Sequence, residues 1–122
     1  MGLDVTHGCW QGSYSAFNRF RDALWRVTYP ENPGGWQNMP SGAFKAFPSD
    51  EPMDYLFYHS DCEGDLEVWM LQPLADRLEA IATALPADGT GHLARLGIRG
   101  TALQFAKGCR EAAAAGESVE LY

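Results

Sequence analysis

The sequence predicts an α+β fold: a small sheet of two or three short strands packed against three or four helices, with a long loop rich in aromatic, Pro and Gly residues. The chain has 122 residues, which fits a single domain over 1–122. Short β-prone runs alternate with segments in which apolar residues recur every three or four positions. With 46% hydrophobic residues, the chain can bury a core, which excludes the disordered and fibrous classes.

The first part of the chain predicts one strand, one helix and a long loop. Leu3–Thr6 alternates apolar and polar residues, as a half-buried strand does. Ser13 or Ser15 is suited to cap a helix that runs to about Thr28. Its inward stripe is formed by Phe17, Phe20, Leu24 and Val27. Pro and Gly dominate from 29 to 52, and the aromatic residues among them indicate a binding loop or lid that folds back onto the body.

The middle of the chain predicts a central strand and a helix. Tyr55–Tyr58 is a short run of β-prone aromatics that leads into a polar turn, so we place it centrally in the sheet. The next segment has the strongest helical spacing, through Leu71, Leu74, Leu78, Ile81 and Leu85. Pro73 suits the first turn of that helix, and Pro86 ends it.

The last part of the chain predicts a helix and a strand. Helical spacing resumes near His92 after a Gly-containing turn, and the Gly residues at 97 and 100 predict a break. Thr101 then caps a helix through Ala115, which Gly116 ends. Ser118–Tyr122 alternates polar and apolar residues and predicts the final strand.

The charge distribution limits the partners of this protein. The net charge is −7, and residues 49–90 hold ten acids against one base. Affinity for DNA or RNA depends largely on Lys and Arg, so we expect no nucleic-acid partner. A single nucleotide stays possible, because one phosphate needs only a local Arg, and Arg19, Arg21 and Arg26 lie close together. The alternative for the acidic run is a solvated face.

Compartment and cofactor predictions follow from what the sequence lacks. No window approaches the roughly 18 to 20 apolar residues of a membrane span, and the first residues do not resemble a secretion signal. Three scattered cysteines, Cys9, Cys62 and Cys109, are typical of reduced thiols rather than a disulfide scaffold. We therefore expect a cytoplasmic protein without a membrane partner, with no cofactor and with oligomerisation open.

Two polar clusters are the candidate sites. His59, Ser60, Asp61, Cys62 and Glu63 follow the predicted central strand, where a sheet can present side chains to a ligand. The competing interpretation is a turn in which Asp61 and Ser60 bind backbone amides and Gly64 supplies a positive φ. His7–Trp10 follows the first strand. If the two strands are parallel neighbours, His7 and His59 leave the sheet at the same edge and line one pocket.

Enzyme chemistry remains an alternative at these clusters. Zinc could take His7, Cys9, His59 and Cys62, although their spacings match no established zinc pattern. A hydrolase could use His59 and Asp61 as acid and base, with Cys9 or Cys62 as nucleophile. A calcium loop fails, because the first position would be His59 rather than Asp and the twelfth Met70 rather than Glu.

The aromatic residues of the first 48 positions favour a planar ligand. Trp10, Tyr14 and Trp36 could stack on a base while Arg19 holds a phosphate and carboxylates accept hydrogen bonds from ribose hydroxyls. The predicted ligand-binding set is His7, Trp10, Tyr14, Arg19, Trp36, His59, Ser60, Asp61 and Glu63. No catalytic or metal residue is assigned.

At Gly2–His7, Cys9–Trp10, Tyr14–Phe17 and His59–Gly64, the chain resembles small proteins of bacteriophages and actinobacterial genomes, a family without an established activity. The resemblance covers most of the chain and implies a phage setting. Small cytoplasmic phage proteins include sponges that sequester nucleotide signals of bacterial immunity, such as cyclic dinucleotides and ADP-ribose derivatives. The analogy is one of size and setting.

The leading hypothesis is therefore a non-enzymatic protein that sequesters a small nucleotide-like ligand and counters bacterial immune signalling in the host cytoplasm. A small hydrolase or metal-dependent enzyme that uses His7, His59, Asp61 and Cys62 is the main alternative. The third is an acidic module that presents residues 50–67 to a basic partner.

Overall fold

A four-stranded antiparallel sheet joins the two ends of the chain. The computed structural model describes residues 2–30, 51–57, 64–85 and 97–121. The strands are β1 (Gly2–Val5), β2 (Trp10–Ser13), β3 (Gly64–Leu66) and β4 (Val119–Leu121), in the spatial order β2-β1-β4-β3. The helices are α1 (Tyr14–Thr28), α2 (Asp54–Phe57), α3 (Val68–Ala82) and α4 (Gly97–Ala115). The α+β prediction is confirmed, with one strand more than expected.

A tight turn connects β1 to β2. The strands pair from Gly2 with Ser13 to Val5 with Trp10. Between them, a single 3-10 turn covers Thr6–Gly8, in which His7 has φ 60° and Gly8 has φ 70°. A histidine in this left-handed region carries a conformational cost that glycine does not. The sequence predicted β1 but not β2, whose Gly and Ser residues are poor strand formers.

Helix α1 forms as its local sequence predicts. The Ser13 hydroxyl accepts a hydrogen bond from the Ala16 backbone amide at 3.1 Å, which caps the helix. Phe17, Phe20 and Leu24 are fully buried, and Val27 packs partly buried against the same core. The predicted stripe is confirmed.

The predicted central strand at Tyr55–Tyr58 is wrong. Asp54–Phe57 forms the short helix α2, and all four of its residues are buried. Its amides bond to carbonyls three and four positions earlier, including Phe57 to Met53 at 3.0 Å. A continuous apolar run has neither a helical nor a strand period, so spacing could not distinguish the two. With this strand absent and the sheet antiparallel throughout its described strands, the argument that His7 and His59 share one sheet edge loses its basis.

Helix α3 contains the predicted stripe but has other limits. Leu71, Leu74, Leu78 and Ile81 are buried along it, and Leu85 is buried in the turn that follows. The helix begins at Val68 and ends at Ala82 rather than at Pro86. Pro73 therefore lies inside the helix, not in its first turn.

Helix α4 is continuous where the sequence predicted a break. It runs from Gly97 through Gly100, and Thr101 is a buried interior residue rather than its cap. Gly116 ends it as predicted: φ is 70°, and the amides of Gly116 and Glu117 bond to the carbonyls of Ala113 and Ala112. The turn predicted near 88–91 and the helical start near His92 lie outside the described residues.

The core lies between one face of the sheet and the helices. Val5, Leu66, Val119 and Leu121 contribute from the strands, and α3 and α4 pack along each other. None of the helices in the described part of the chain is sufficiently long and apolar to cross a membrane.

Candidate functional site

An open groove lies along the β3–β4 edge of the sheet. It has a volume of about 570 Å³, and its described lining is Gly64, Asp65, Glu120 and Leu121. The strand register explains which side chains face it. Leu66 and Val119 are paired and buried, so the adjacent pair, Asp65 and Glu120, points to the opposite, outer face.

The groove has two carboxylates side by side. Asp65 and Glu120 are direct cross-strand partners and both are exposed. Like charges in this position repel each other and reduce sheet stability. The pairing places two carboxylates where one ligand can contact both.

The outer face of the sheet is negatively charged beyond the groove. Val5 faces the core beside Leu121, so Asp4 lies on the outer face with Glu120. The Glu120 amide donates a hydrogen bond to the Thr6 hydroxyl at 2.9 Å, which fixes this part of β4 against the β1–β2 turn. The four described strands contain no Lys or Arg.

Carboxylates on a sheet accept hydrogen bonds, so this face suits a ligand rich in hydroxyl or amine donors. Paired oxygens can accept both hydroxyls of a ribose, or bind a cationic amine. They repel a phosphate. The predicted polar cluster is adjacent in sequence to this groove, because Glu63 directly precedes Gly64, one of the lining residues.

Many residues of the predicted ligand-binding set lie outside the described part of the chain. These are Trp36, His59, Ser60, Asp61 and Glu63. Tyr14 begins α1, and Arg19 is exposed on the same helix. Their roles stay predictions.

His7 lies beside the last strand. Its Nε2 is 3.3 Å from a carboxylate oxygen of Glu117, just before β4, and the imidazole is 22% exposed. The neighbouring residue, Thr6, bonds to β4 through its hydroxyl. The structure therefore brings His7 towards the strand that carries Glu120.

Trp10 packs in the core. Its indole stacks on Phe20 with ring centroids 5.5 Å apart and meets Phe17 edge-on at 5.3 Å. The residue is 8% exposed. This packing gives Trp10 a structural role, and its predicted stacking on a ligand stays a prediction.

Two of the three arginines that the sequence suggested as phosphate ligands make contacts within the fold. Arg21 is fully buried, where it donates to the Leu56 carbonyl at 3.3 Å and lies 4.4 Å from the centre of the Phe17 ring. Arg26 pairs with Asp22 one helical turn earlier at 2.8 Å. Arg19 is exposed on this helix, as Arg26 is.

The acidic run from 50 to 67 is not a uniform solvated face. Asp54 is fully buried and accepts a hydrogen bond from the Tyr29 hydroxyl at 2.5 Å. Glu51 binds Arg77 on α3 at 3.0 Å. Asp65 and Glu67, at the other end of the run, are exposed. Among the described residues of this run, Asp54 and Glu51 therefore serve contacts within the fold, whereas Asp65 and Glu67 are exposed to solvent.

Sequence reasoning missed Glu120 as a site residue. The alternation in Ser118–Tyr122 places it on the polar face of a strand, which is a usable signal. Its partner Asp65 sits in a strand of three residues, too short to show a period. Only the register across β3 and β4 brings the two together.

The described residues also bear on the metal and thiol predictions. Across residues 2–30, 51–57, 64–85 and 97–121, no three His, Cys, Asp or Glu side chains group closely enough to hold a metal ion. Cys9 and Cys109 are free and buried. A hydrogen bond with Cys9, and then burial, raise the pKa of the Cys109 thiol above its ordinary range. A thiol in this state is a poor nucleophile at neutral pH.

Comparison of the chain with known protein families, characterised proteins and solved structures found no match.

Proposed function

We propose that this chain is a non-enzymatic binding protein that sequesters a small nucleotide-like ligand, an ADP-ribose derivative or a cyclic nucleotide signal. The carrying observation is the β3–β4 groove with Asp65 and Glu120 side by side. In this proposal the two carboxylates accept hydrogen bonds from the donor-rich part of the ligand, its ribose hydroxyls or base amine.

The polar cluster at 59–63 supports the same location, because it directly precedes β3 in the sequence. The phosphates of such a ligand must point away from the acidic sheet, because the carboxylates repel them. The proposed setting, from the sequence resemblance, is a phage protein in the host cytoplasm that counters immune signalling.

Titration calorimetry with ADP-ribose and with cyclic dinucleotides tests the proposal. We expect Asp65→Asn and Glu120→Gln each to weaken binding by about 1 to 3 kcal/mol, since each removes one charge-assisted acceptor. Glu111→Gln is the matched control, because Glu111 is an exposed acid on α4 and is not among the residues that line the groove.

Three outcomes decide the test. Loss of affinity in both groove variants but not in the control supports the proposal. Equal affinity in all four proteins moves the site elsewhere. If no nucleotide in the panel binds or raises the melting temperature at millimolar concentration, the proposal is rejected.

Sequestration also predicts that the bound ligand is returned chemically intact after denaturation. Chromatography of the released ligand checks this. Conversion of more ligand than protein present, abolished by His59→Ala, would favour the hydrolase alternative.

A second candidate function rests on the wider acidic face. Asp4, Asp65 and Glu120 share the outer side of the sheet and suit a basic protein surface. Such an association weakens steeply as salt rises, because it depends on exposed charges. Nucleotide binding through hydrogen bonds in a groove should depend on salt far less.

A further inference from the structure

Two buried thiols from opposite ends of the sequence meet in this fold. Cys9 lies between the Thr6–Gly8 turn and β2, and Cys109 lies in α4. They are 1% and 0% exposed, and both are free. Neither takes part in the proposed ligand groove.

The surrounding backbone holds the two cysteines close. A Cβ added at Gly108 would overlap the Cys9 sulfur and would lie 2.8 Å from the His7 carbonyl oxygen and 3.2 Å from the Cys9 Cα. The Gln104 side-chain amide donates to the Gly8 carbonyl at 2.7 Å, which anchors the same turn to α4. Cys109 directly follows Gly108 on α4, so both buried cysteines lie where this helix meets the turn.

From this contact we infer that Cys9 and Cys109 form an intramolecular disulfide when the protein meets a low-molecular-weight disulfide such as glutathione disulfide. The thiolate of one cysteine attacks the reagent, which gives a mixed disulfide and releases one glutathione thiolate. The second cysteine, as its thiolate, attacks the protein sulfur of that mixed disulfide and releases the second glutathione. The two protons lost by the protein end on the two glutathione thiols.

Burial determines the rate of this reaction. The reagent reaches the sulfurs only when the Thr6–Gly8 turn opens away from α4, so exchange requires local unfolding. Once formed, the bridge joins residues 9 and 109 and closes a loop that spans most of the chain. A cross-link over so long a loop strongly restricts the unfolded state.

The test uses the full chain with Cys62→Ser, which leaves these two thiols alone. After incubation with excess glutathione disulfide, we expect a mass lower by two hydrogen atoms and a linked peptide pair that contains Cys9 and Cys109. The melting temperature should rise by several degrees, as a constraint on the unfolded chain implies, and dithiothreitol should reverse the rise.

Two controls keep the inference open to refutation. Cys9→Ala in the same background should form no internal bridge. Recovery of both thiols from the Cys62→Ser protein after long incubation would overturn the inference, and so would a bridge that forms only between chains. If Cys62→Ser does not fold, peptide mapping of the oxidised wild type decides: a Cys9–Cys109 link supports the inference, and pairing through Cys62 overturns it.

Discussion

At the residue scale, Gly108 decides how closely α4 approaches the β1–β2 turn. The helix can contact the Cys9 sulfur and the His7 carbonyl because this position has no side chain. His7 adopts φ 60° in the turn that α4 contacts, so the turn holds a conformation that is costly for a histidine. Packing of the turn against α4 holds His7 in this strained conformation.

Gly108→Ala should lower the free energy of unfolding by about 1 to 3 kcal/mol, because the added methyl forces the turn away from α4. At an open helix position the same change would stabilise by about 1 kcal/mol, so the sign of the effect is informative. Urea unfolding of wild type and variant measures it. In a Cys9→Ala background the loss of unfolding free energy should be smaller, since the Cys9 sulfur, the closest atom, is absent. If Gly108→Ala stabilises the protein, the close packing of α4 on the turn is contradicted.

At the element scale, α3 and α4 are joined by arginines at both ends of their contact. Arg99 donates to the carbonyls of Ala82, Thr83 and Leu85 at 3.0 to 3.2 Å, where α3 ends. A cation there satisfies carbonyls that have no partner within the helix and interacts favourably with its dipole. Nearer the other end of the contact, Arg110 binds acids on α3.

Arg99→Gln should cost about 1 to 2 kcal/mol of unfolding free energy, since it removes charge-assisted hydrogen bonds to the end of α3. Arg26→Gln is the comparison, because Arg26 forms an exposed pair with Asp22 within one helix, for which about 0.3 to 0.5 kcal/mol is expected. Chemical denaturation of the two variants gives both values. Equal losses would show that Arg99 does not act as a cap.

The Arg110 cluster predicts a pH dependence. Arg110 donates to Glu79, Asp76 and Gln72, and its hydrogen bond holds the pKa of Glu79 below the ordinary 4.5. A lowered folded-state pKa contributes stability that is complete above the unfolded value and is lost as pH falls through the folded one. The free energy of unfolding at pH 7 should therefore be higher for wild type than for Arg110→Gln by about 0.5 to 1 kcal/mol, the scale of a surface ion pair.

The stability difference between wild type and Arg110→Gln should shrink as the pH falls below 4.5 and through the folded pKa of Glu79, and it should also shrink in high salt. Urea unfolding at several pH values measures it. A difference that persists unchanged at low pH would assign the effect to the packing of the arginine stem instead.

At the scale of the whole molecule, the proposed ligand binding at the groove would oppose the stability of the sheet. Glu120 faces Asp65 across the strands, a pairing that weakens the sheet. Glu120→Gln should therefore raise the free energy of unfolding by a few tenths to about 1 kcal/mol while it weakens ligand binding. Thermal unfolding and calorimetry on the same preparation test both. A destabilised variant would mean that Glu120 serves the fold.

The parts of the fold that the sequence predicts are those with local causes. Ser13 and the stripe of α1 lie within one helix, and Gly116 sets the end of α4 by its own backbone. Tyr55–Phe57 could not be assigned, because its burial on every side leaves no period. Gly97 and Gly100 indicate a break, yet packing of α4 along α3 outweighs their low helix propensity.

The candidate site divides in the same way. The sequence predicts a polar cluster at residues 59–63, where side chains of several chemistries are consecutive, and this prediction lies outside the described residues. The Asp65–Glu120 pair could not be predicted, because it depends on a register between segments more than fifty positions apart. Sequence reasoning likewise counted Asp54 as surface charge, whereas the Tyr29 hydroxyl and full burial make it part of the interior.

The position of β4 in the middle of the sheet has a consequence for synthesis on the ribosome. A nascent chain emerges from its N-terminus, so β1, β2 and β3 are all made before the strand that must lie between β1 and β3. Until Val119–Leu121 leaves the exit tunnel, the sheet stays divided and the inner edges of β1 and β3 have no partner. The helical pair of α3 and α4 can associate earlier, since its contacts are closer in sequence. The β3–β4 groove, the site proposed for the ligand, is thus complete only after Val119–Leu121 has left the exit tunnel.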